Sequence, residues 1–281
     1  MCETSVNGSE IAMTMTRPSP GDADPYALIP ELYDLEHASF ADDIALYLQL
    51  AEVVGDPILE LGCGSGRVLL ALARAGYRLA GIDRSGPMLD RARDAVAEEG
   101  LAEQVTLVQA DMTAAGTAGD RQYGLVLLAL NGVMHLETSE RQREVLTTAR
   151  RALDPRGMLA IDTVNPDPGF LAALDGRVEH EGTWLLPDGT RVDRFGSRRH
   201  QPATQRIDTR LWYDLAGEDG QLRRVSSEFS MRHVTRAELE LMLELCGFAE
   251  WQVYGSYELD PYDDGSERLI VLAEVTAGQP R

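Results

Sequence analysis

An apolar run, Ile58-Leu59-Glu60-Leu61, breaks into three glycines at alternate positions, Gly62, Gly64 and Gly66, and then into the apolar-periodic segment Val68-Leu69-Leu70-Ala71-Leu72-Ala73. That order is strand, tight turn, helix. A glycine turn at the carboxyl end of a first parallel strand lets the backbone approach a ligand closely, with the following helix aimed at it. Two further strand-like runs repeat the arrangement. Tyr77-Arg78-Leu79-Ala80-Gly81-Ile82 ends in Asp83, 21 positions after Gly62, where an acid can accept from both hydroxyls of a ribose. Val105-Thr106-Leu107-Val108-Gln109-Ala110 ends in Asp111, the type of group that accepts from an exocyclic adenine amine. The expected ligand is nucleotide-like.

The spacing separates two families of nucleotide site. A dinucleotide fingerprint wants Gly or Ala at the position that Arg67 holds, so GxGxG-Arg fits it poorly. With Glu60-Leu61-Gly62-Cys63-Gly64-Ser65-Gly66-Arg67, Gly81-Ile82-Asp83-Arg84-Ser85-Gly86-Pro87-Met88-Leu89, Gln109-Ala110-Asp111-Met112 and the turn Leu153-Asp154-Pro155-Arg156-Gly157, the chain resembles the class I S-adenosylmethionine-dependent methyltransferases over roughly residues 31 to 165. The resemblance implies a doubly wound, Rossmann-like α/β sheet of seven strands and S-adenosyl-L-methionine as cofactor. Its cofactor site would be made by Glu60, Gly62, Cys63, Gly64, Gly66, Arg67, Asp83, Arg84, Met88, Asp111, Met112, Leu130 and Asn131. It also implies a short Tyr-Asp segment closing over the cofactor, here Tyr33-Asp34, with the Tyr33 hydroxyl on the methionine carboxylate.

Composition narrows the chemistry. The formal charge is -20 and the pI about 4.6, so a phosphate backbone would meet repulsion over most of the surface, and nucleic acid is not expected as a partner. All 26 basic residues are arginine, which excludes a lysine Schiff base and a P-loop lysine. Cys2, Cys63 and Cys246 lie far apart without metal-ligand spacing, which fits a reducing cytoplasm. No apolar run is long enough for a membrane helix, and a soluble, cytoplasmic protein is expected. No pattern fixes the oligomeric state, a homodimer included.

In chain order, residues 1–24 lack periodicity and read as a disordered leader. Residues 25–175 read as the cofactor-binding core. It opens with an amphipathic helix marked by Ile44, Tyr47, Leu48 and Ala51, for which Ser39 is the expected N-cap, with Asp42 and Asp43 in its first turn. The continuous apolar run Tyr123 to Leu130 suits a central strand buried on both faces, and Asn131 to Leu136 follows at the position where open α/β sheets carry their chemistry. A helix over Ser139–Leu153 and a strand over Met158–Val164 precede Asn165-Pro166-Asp167-Pro168, where the two prolines argue against regular structure.

Residues 176–233 change to short alternating segments broken at Pro187-Asp188-Gly189, Gln201-Pro202-Ala203 and Gly217-Glu218-Asp219-Gly220, an inserted antiparallel β meander that would roof the site as a lid. Residues 234–281 return to the core through a helix capped by Thr235 and ended by Gly247, and close it with an antiparallel edge hairpin over Ala249–Tyr257 and Arg268–Val275.

Methyl transfer from a sulfonium asks the protein to align a nucleophile, exclude water and remove a proton where needed. His135 is the first candidate for that base or orienting group, and His233 the second. Tyr26, Trp184, Tyr213 and Tyr254 are candidates for the substrate pocket. Asp162 and Asn165 lack a third acid at the end of strand four, where Asn131 stands, and no metal is expected. The expected activity is methylation of an amine nitrogen, or a hydroxyl, of a small molecule such as an amino sugar or natural-product intermediate. The alternative is a binding protein that uses the same pocket without methylating.

Overall fold

The computed structural model describes residues 24–114, 122–218 and 220–275. The expected leader up to residue 23, most of the polar link after Thr113 and the last six residues lie outside them. Two helices come first, α1 (Pro30–His37) and α2 (Ile44–Val54). Strands and helices then alternate: β1 (Ile58–Leu61), α3 (Arg67–Arg74), β2 (Leu79–Asp83), α4 (Gly86–Glu98), β3 (Val105–Gln109) and β4 (Tyr123–Leu128). A 3₁₀ turn, Gly132–His135, leads to α5 (Ser139–Ala152), β5 (Leu153–Val164) and α6 (Pro168–Ala173). Four long strands follow, β6 (Asp175–Leu185), β7 (Arg191–Gln201), β8 (Arg206–Ala216) and β9 (Leu222–Arg232). The chain closes with α7 (Arg236–Cys246), β10 (Glu250–Tyr254) and β11 (Arg268–Glu274).

The main sheet has seven strands in the order β10-β11-β5-β4-β1-β2-β3. Strands β1 to β5 are parallel, and β11 lies antiparallel between β5 and the edge strand β10. Every residue of β4 is buried, as its unbroken apolar sequence requires of a strand covered on both faces. Two apolar cores sit on opposite sides, one around α5, α7 and the C-terminal strands, the other around α2, α3 and α4. The second sheet, β6-β7-β8-β9, is an antiparallel meander. A third small core, Ile29, Leu32, Val192, Tyr213 and Leu215, glues α1 to it.

Four local expectations need correction. Ser39 does not cap α2; the helix starts at Ile44, and Asp43 at its N-cap position makes no capping bond because Arg67 holds its carboxylate at 2.7 Å. Pro168 does not forbid structure but opens α6, where a missing N–H costs nothing, with Asp167 accepting from Gly169 and Phe170. Strand β5 begins at Leu153, earlier than Met158, through an irregular step in its pairing with β4. The meander strands are each 11 residues long, longer than their short apolar segments suggest, because charged residues on the solvent face continue the ladder.

Candidate functional site

The carboxyl ends of β1, β2 and β4, helix α1 and the inner face of the meander enclose a cavity of about 830 Å³. Its floor is the glycine turn. Gly62, Gly64 and Gly66 have φ of 82°, 54° and 87°, the left-handed region that side chains disfavour. The turn is pinned to the end of β2: the amides of Gly62 and Cys63 both donate to the Ile82 carbonyl, at 2.7 and 3.1 Å. The Gly64 amide donates to Asp83 Oδ2 at 2.8 Å, and the Ser85 amide to Asp83 Oδ1 at the same distance. Each Asp83 oxygen therefore keeps a lone pair for a ligand. Burial raises the Asp83 pKa, and the two amides oppose that rise.

Glu60, at the end of β1, is 3% exposed and lines the cavity with its Oε2 atom unpartnered. Burial pushes its carboxyl up to about 8; the Arg67 guanidinium opposes this, while Asp43 and Asp83 add to it. Arg67 in turn forms a two-pronged pair with Asp43, donates to the Phe40 carbonyl at 3.1 Å and lies 5.0 Å from the Phe40 ring. One oxygen of this buried, cavity-lining acid is thus left without a hydrogen-bond partner.

Asp111 is already engaged. Its Oδ1 accepts from the Thr113 amide and hydroxyl at 2.9 and 2.7 Å, and its Oδ2 from Arg141 at 2.6 Å. Burial works against ionisation here, but these donors hold the carboxyl below its usual range.

On the far wall three rings from three elements meet. Tyr26 precedes α1, His135 ends the 3₁₀ turn, and Phe229 comes from β9. The Tyr26 hydroxyl lies 3.2 Å from His135 Nε2, and the Phe229 ring centroid is 6.0 Å from that of Tyr26 and 5.7 Å from that of His135. Burial pushes the His135 pKa down to about 4, with the positive field of Arg84 adding to the effect. The imidazole is neutral throughout the neutral range. Above the rings, Glu36 accepts from the Tyr213 hydroxyl at 2.9 Å and pairs with Arg194 at 2.5 Å, and Glu181 bridges Arg194 and Arg198.

The cavity brings together Tyr26, Tyr33, Glu60, Gly62, Cys63, Gly64, Arg67, Asp83, Arg84, Met88, Asp111, Met112, Leu130, Asn131, His135 and Tyr213. Four anticipated residues are elsewhere. Gly66 is the left-handed N-cap of α3, where a Cβ would lie 3.3 Å from Ala92; its task is the turn, not the lining. His233 lies at the junction of β9 and α7, with its Nε2 3.1 Å from His200 Nε2, outside the cavity. Trp184 packs on the small core under α1, and Tyr254 on the α2 side of the sheet, its hydroxyl bonded to Gln252. Sequence reasoning missed Phe229, Glu36, Arg194 and Arg198. Phe229 and Met231 share a strand face at period two, as do Leu211 and Tyr213 on the neighbouring strand; that parity was the available signal.

Residues 58–157 match a family model described as a methyltransferase domain. The chain is 26% identical over 249 residues to the cypemycin N-terminal methyltransferase of Streptomyces sp., covering 87% of this chain and 94% of that relative. Among solved structures it is similar to the CcbJ methyltransferase from Streptomyces caelestis, with TM-score 0.71 and 25% identity over 91% of this chain and 100% of that one. It shares its fold with the S-adenosylmethionine-bound CalS10 amino pentose methyltransferase from Micromonospora echinaspora, with TM-score 0.65 and 19% identity, covering 86% and 96% of the two chains. No helix among the described residues is long and apolar enough to cross a membrane.

Proposed function

We propose that this chain, which belongs to the class I S-adenosylmethionine-dependent methyltransferases, methylates an amine nitrogen of a small molecule bound against Tyr26, His135 and Phe229. The cavity residues fit the cofactor. Asp83 retains one lone pair on each oxygen for the ribose, the bare glycine turn admits a close approach, and the unpartnered Glu60 oxygen offers an acceptor for the methionine ammonium. The cofactor supplies a methyl group on a sulfonium, activated for in-line displacement. What remains for the protein is alignment, exclusion of water and the fate of one proton.

The observation that carries the choice of nitrogen is the uncharged His135–Tyr26 pair. An imidazole held near 4 is too weak a base to strip an alcohol, whereas a free amine needs no proton removed before attack. His135 Nε2 and the Tyr26 hydroxyl form a neutral hydrogen-bonding edge that orients an amine lone pair. With the cofactor bound, its methyl group would pass to the nitrogen lone pair, the neutral thioether would be the leaving group, and the proton left on the product nitrogen would go to solvent. The cypemycin enzyme's name and the amino pentose of CalS10 are in keeping with an amine acceptor.

The test is incubation with S-adenosylmethionine and matched amines and alcohols, read by the mass gain of one methyl group; methylation confined to alcohols would overturn the choice of nitrogen. Changing His135 to alanine should lower kcat by about 10–100-fold and leave cofactor Kd within about threefold, since the residue orients the acceptor only. The pH profile gives a second check. The folded-state pKa of His135 lies below its ordinary 6.5, so its contribution to stability is present above 6.5 and is lost as pH falls toward 4. The wild-type kcat at saturating amine should therefore carry no imidazole inflection near 6.5.

A further inference from the structure

We infer that Asp162 is a positioning residue for methyl transfer: it holds the left-handed corner Leu130–Asn131, through which β4 delivers His135 to the cavity. The residue itself is 1% exposed and does not line the cavity. Its carboxylate is saturated from four directions. Oδ2 accepts from the Tyr47 hydroxyl of α2 at 3.3 Å, from the Tyr257 hydroxyl at 3.0 Å and from the Leu130 amide at 3.1 Å, while Oδ1 takes both prongs of Arg268. The Asp162 carbonyl accepts from the Asn131 amide at 2.9 Å, so side chain and backbone of one residue grip two consecutive amides of the corner.

Those two amides belong to an unusual piece of backbone. Leu130 has φ of 43° and Asn131 of 66°. For Asn the left-handed region is tolerated, but for a Leu it is a steric outlier that persists only where the surroundings over-determine it. The surroundings here are Asp162 and its donors, together with the Asn131 side-chain oxygen, which accepts from the Val164 amide at 2.7 Å. The corner ends with the Asn131 carbonyl accepting from Met134 at 2.8 Å inside the 3₁₀ turn that carries His135. Releasing Leu130 would let the corner relax toward ordinary φ and swing the His135 turn away from Tyr26. A buried carboxylate filled by five donors is a costly way to stabilise an interior strand already paired on both sides, and its placement under a strained functional corner explains why it is there.

The test is a background comparison on the full chain. Asp162→Asn is combined with Arg268→Gln so that neither charge is left buried alone. If Asp162 positions the corner, the combined variant loses at least tenfold in turnover, and amides of residues 130–135 exchange with deuterium at least tenfold faster, while β1 and β2 exchange as in the parent. In the Leu130→Gly background, where the positive φ carries no steric cost, the same pair of changes should cost less than threefold in turnover. An equal loss in both backgrounds, or exchange accelerated uniformly over the sheet, would mean Asp162 serves stability alone. Should the combined variant fail to fold, Asp162→Glu keeps the ion pair yet shifts the carboxylate off the Leu130 amide, and the same readouts apply. The turnover arm rests on the methyl-transfer reading; the exchange arm needs no substrate, so a wrong acceptor assignment and a wrong role for Asp162 give different results.

Discussion

Replacing Asp83 by alanine is expected to weaken S-adenosylmethionine binding by at least about a hundredfold. Hydrogen bonds to a charged group contribute roughly 1.5–3 kcal/mol each, and the free lone pairs of Asp83 offer one such bond to each ribose hydroxyl. At about 1.4 kcal/mol per tenfold, losing both reaches roughly two to four orders of magnitude. The structure adds a second source of loss. The same carboxylate accepts the Gly64 and Ser85 amides, so its removal unfastens the glycine turn from β2 and leaves two donors without a partner. Asp83→Asn separates the contributions: it keeps an acceptor oxygen but no charge, and should fall between parent and alanine variant. Calorimetric titration with S-adenosylmethionine and with S-adenosylhomocysteine decides the matter. Parent-like affinity in the alanine variant would remove Asp83 from the site.

Much of this site could be read before any coordinates, and the reason is local. In a doubly wound sheet the ligand meets strand ends, and the residues that end a strand are also those that make its turn, so Glu60, Gly62, Asp83 and Asp111 announce both at once. The α7 signal was equally local: Thr235 accepts from the Glu238 amide, and Gly247 ends the helix at φ 81°. The order β10-β11-β5, with β11 antiparallel, agrees with the closing hairpin expected from the two final apolar runs.

What escaped depends on pairings distant in sequence. Phe229 reaches His135 only because β9 pairs with β8 in one register out of several its alternation allows; a slip of one residue would turn Phe229 to the other face. Asp43 was read as a first-turn acid of α2, but Arg67, 24 residues later, claims it, and the same pair explains why an arginine stands where a dinucleotide turn would carry a small residue. His233 fits the profile of a catalytic histidine, beside an arginine at a junction, yet it faces His200. Asp162 and Asn165, which lack a third acid at the end of β4, have separate tasks that the sequence did not disclose: Asn165 accepts from Tyr262 at 2.6 Å and donates to the Ser266 carbonyl at 2.8 Å, and Asp162 is filled by its donors.

Glu60 should reveal itself through opposite effects on stability and binding. Its folded-state pKa is raised from 4.5 to about 8, so between these values the folded chain retains a proton that the unfolded chain gives up. Its contribution to stability therefore falls as pH rises from 4.5 to 8, by about 1.36 kcal/mol per unit over that window, or on the order of 3 kcal/mol by neutrality. Glutamine has the same shape and no proton to lose. Glu60→Gln should melt several degrees above the parent at pH 8 in the absence of cofactor, the difference shrinking as pH falls to 4.5. Binding should move the other way. Glu60 lines the cavity and has one oxygen unpartnered, so a cationic ammonium bound there would stabilise the carboxylate form; the neutral amide cannot match that, and affinity for S-adenosylmethionine should drop by about 10–100-fold. Cofactor binding to the parent at pH 7.5 should then release a proton, seen as a dependence of the calorimetric heat on the buffer's ionisation enthalpy, and the glutamine variant should release none from this position. A variant that melts like the parent at every pH would show that Glu60 is already ionised in the fold, with a partner gained in solution. The strain at this position would then disappear as the explanation for an acid buried beside Asp43 and Asp83.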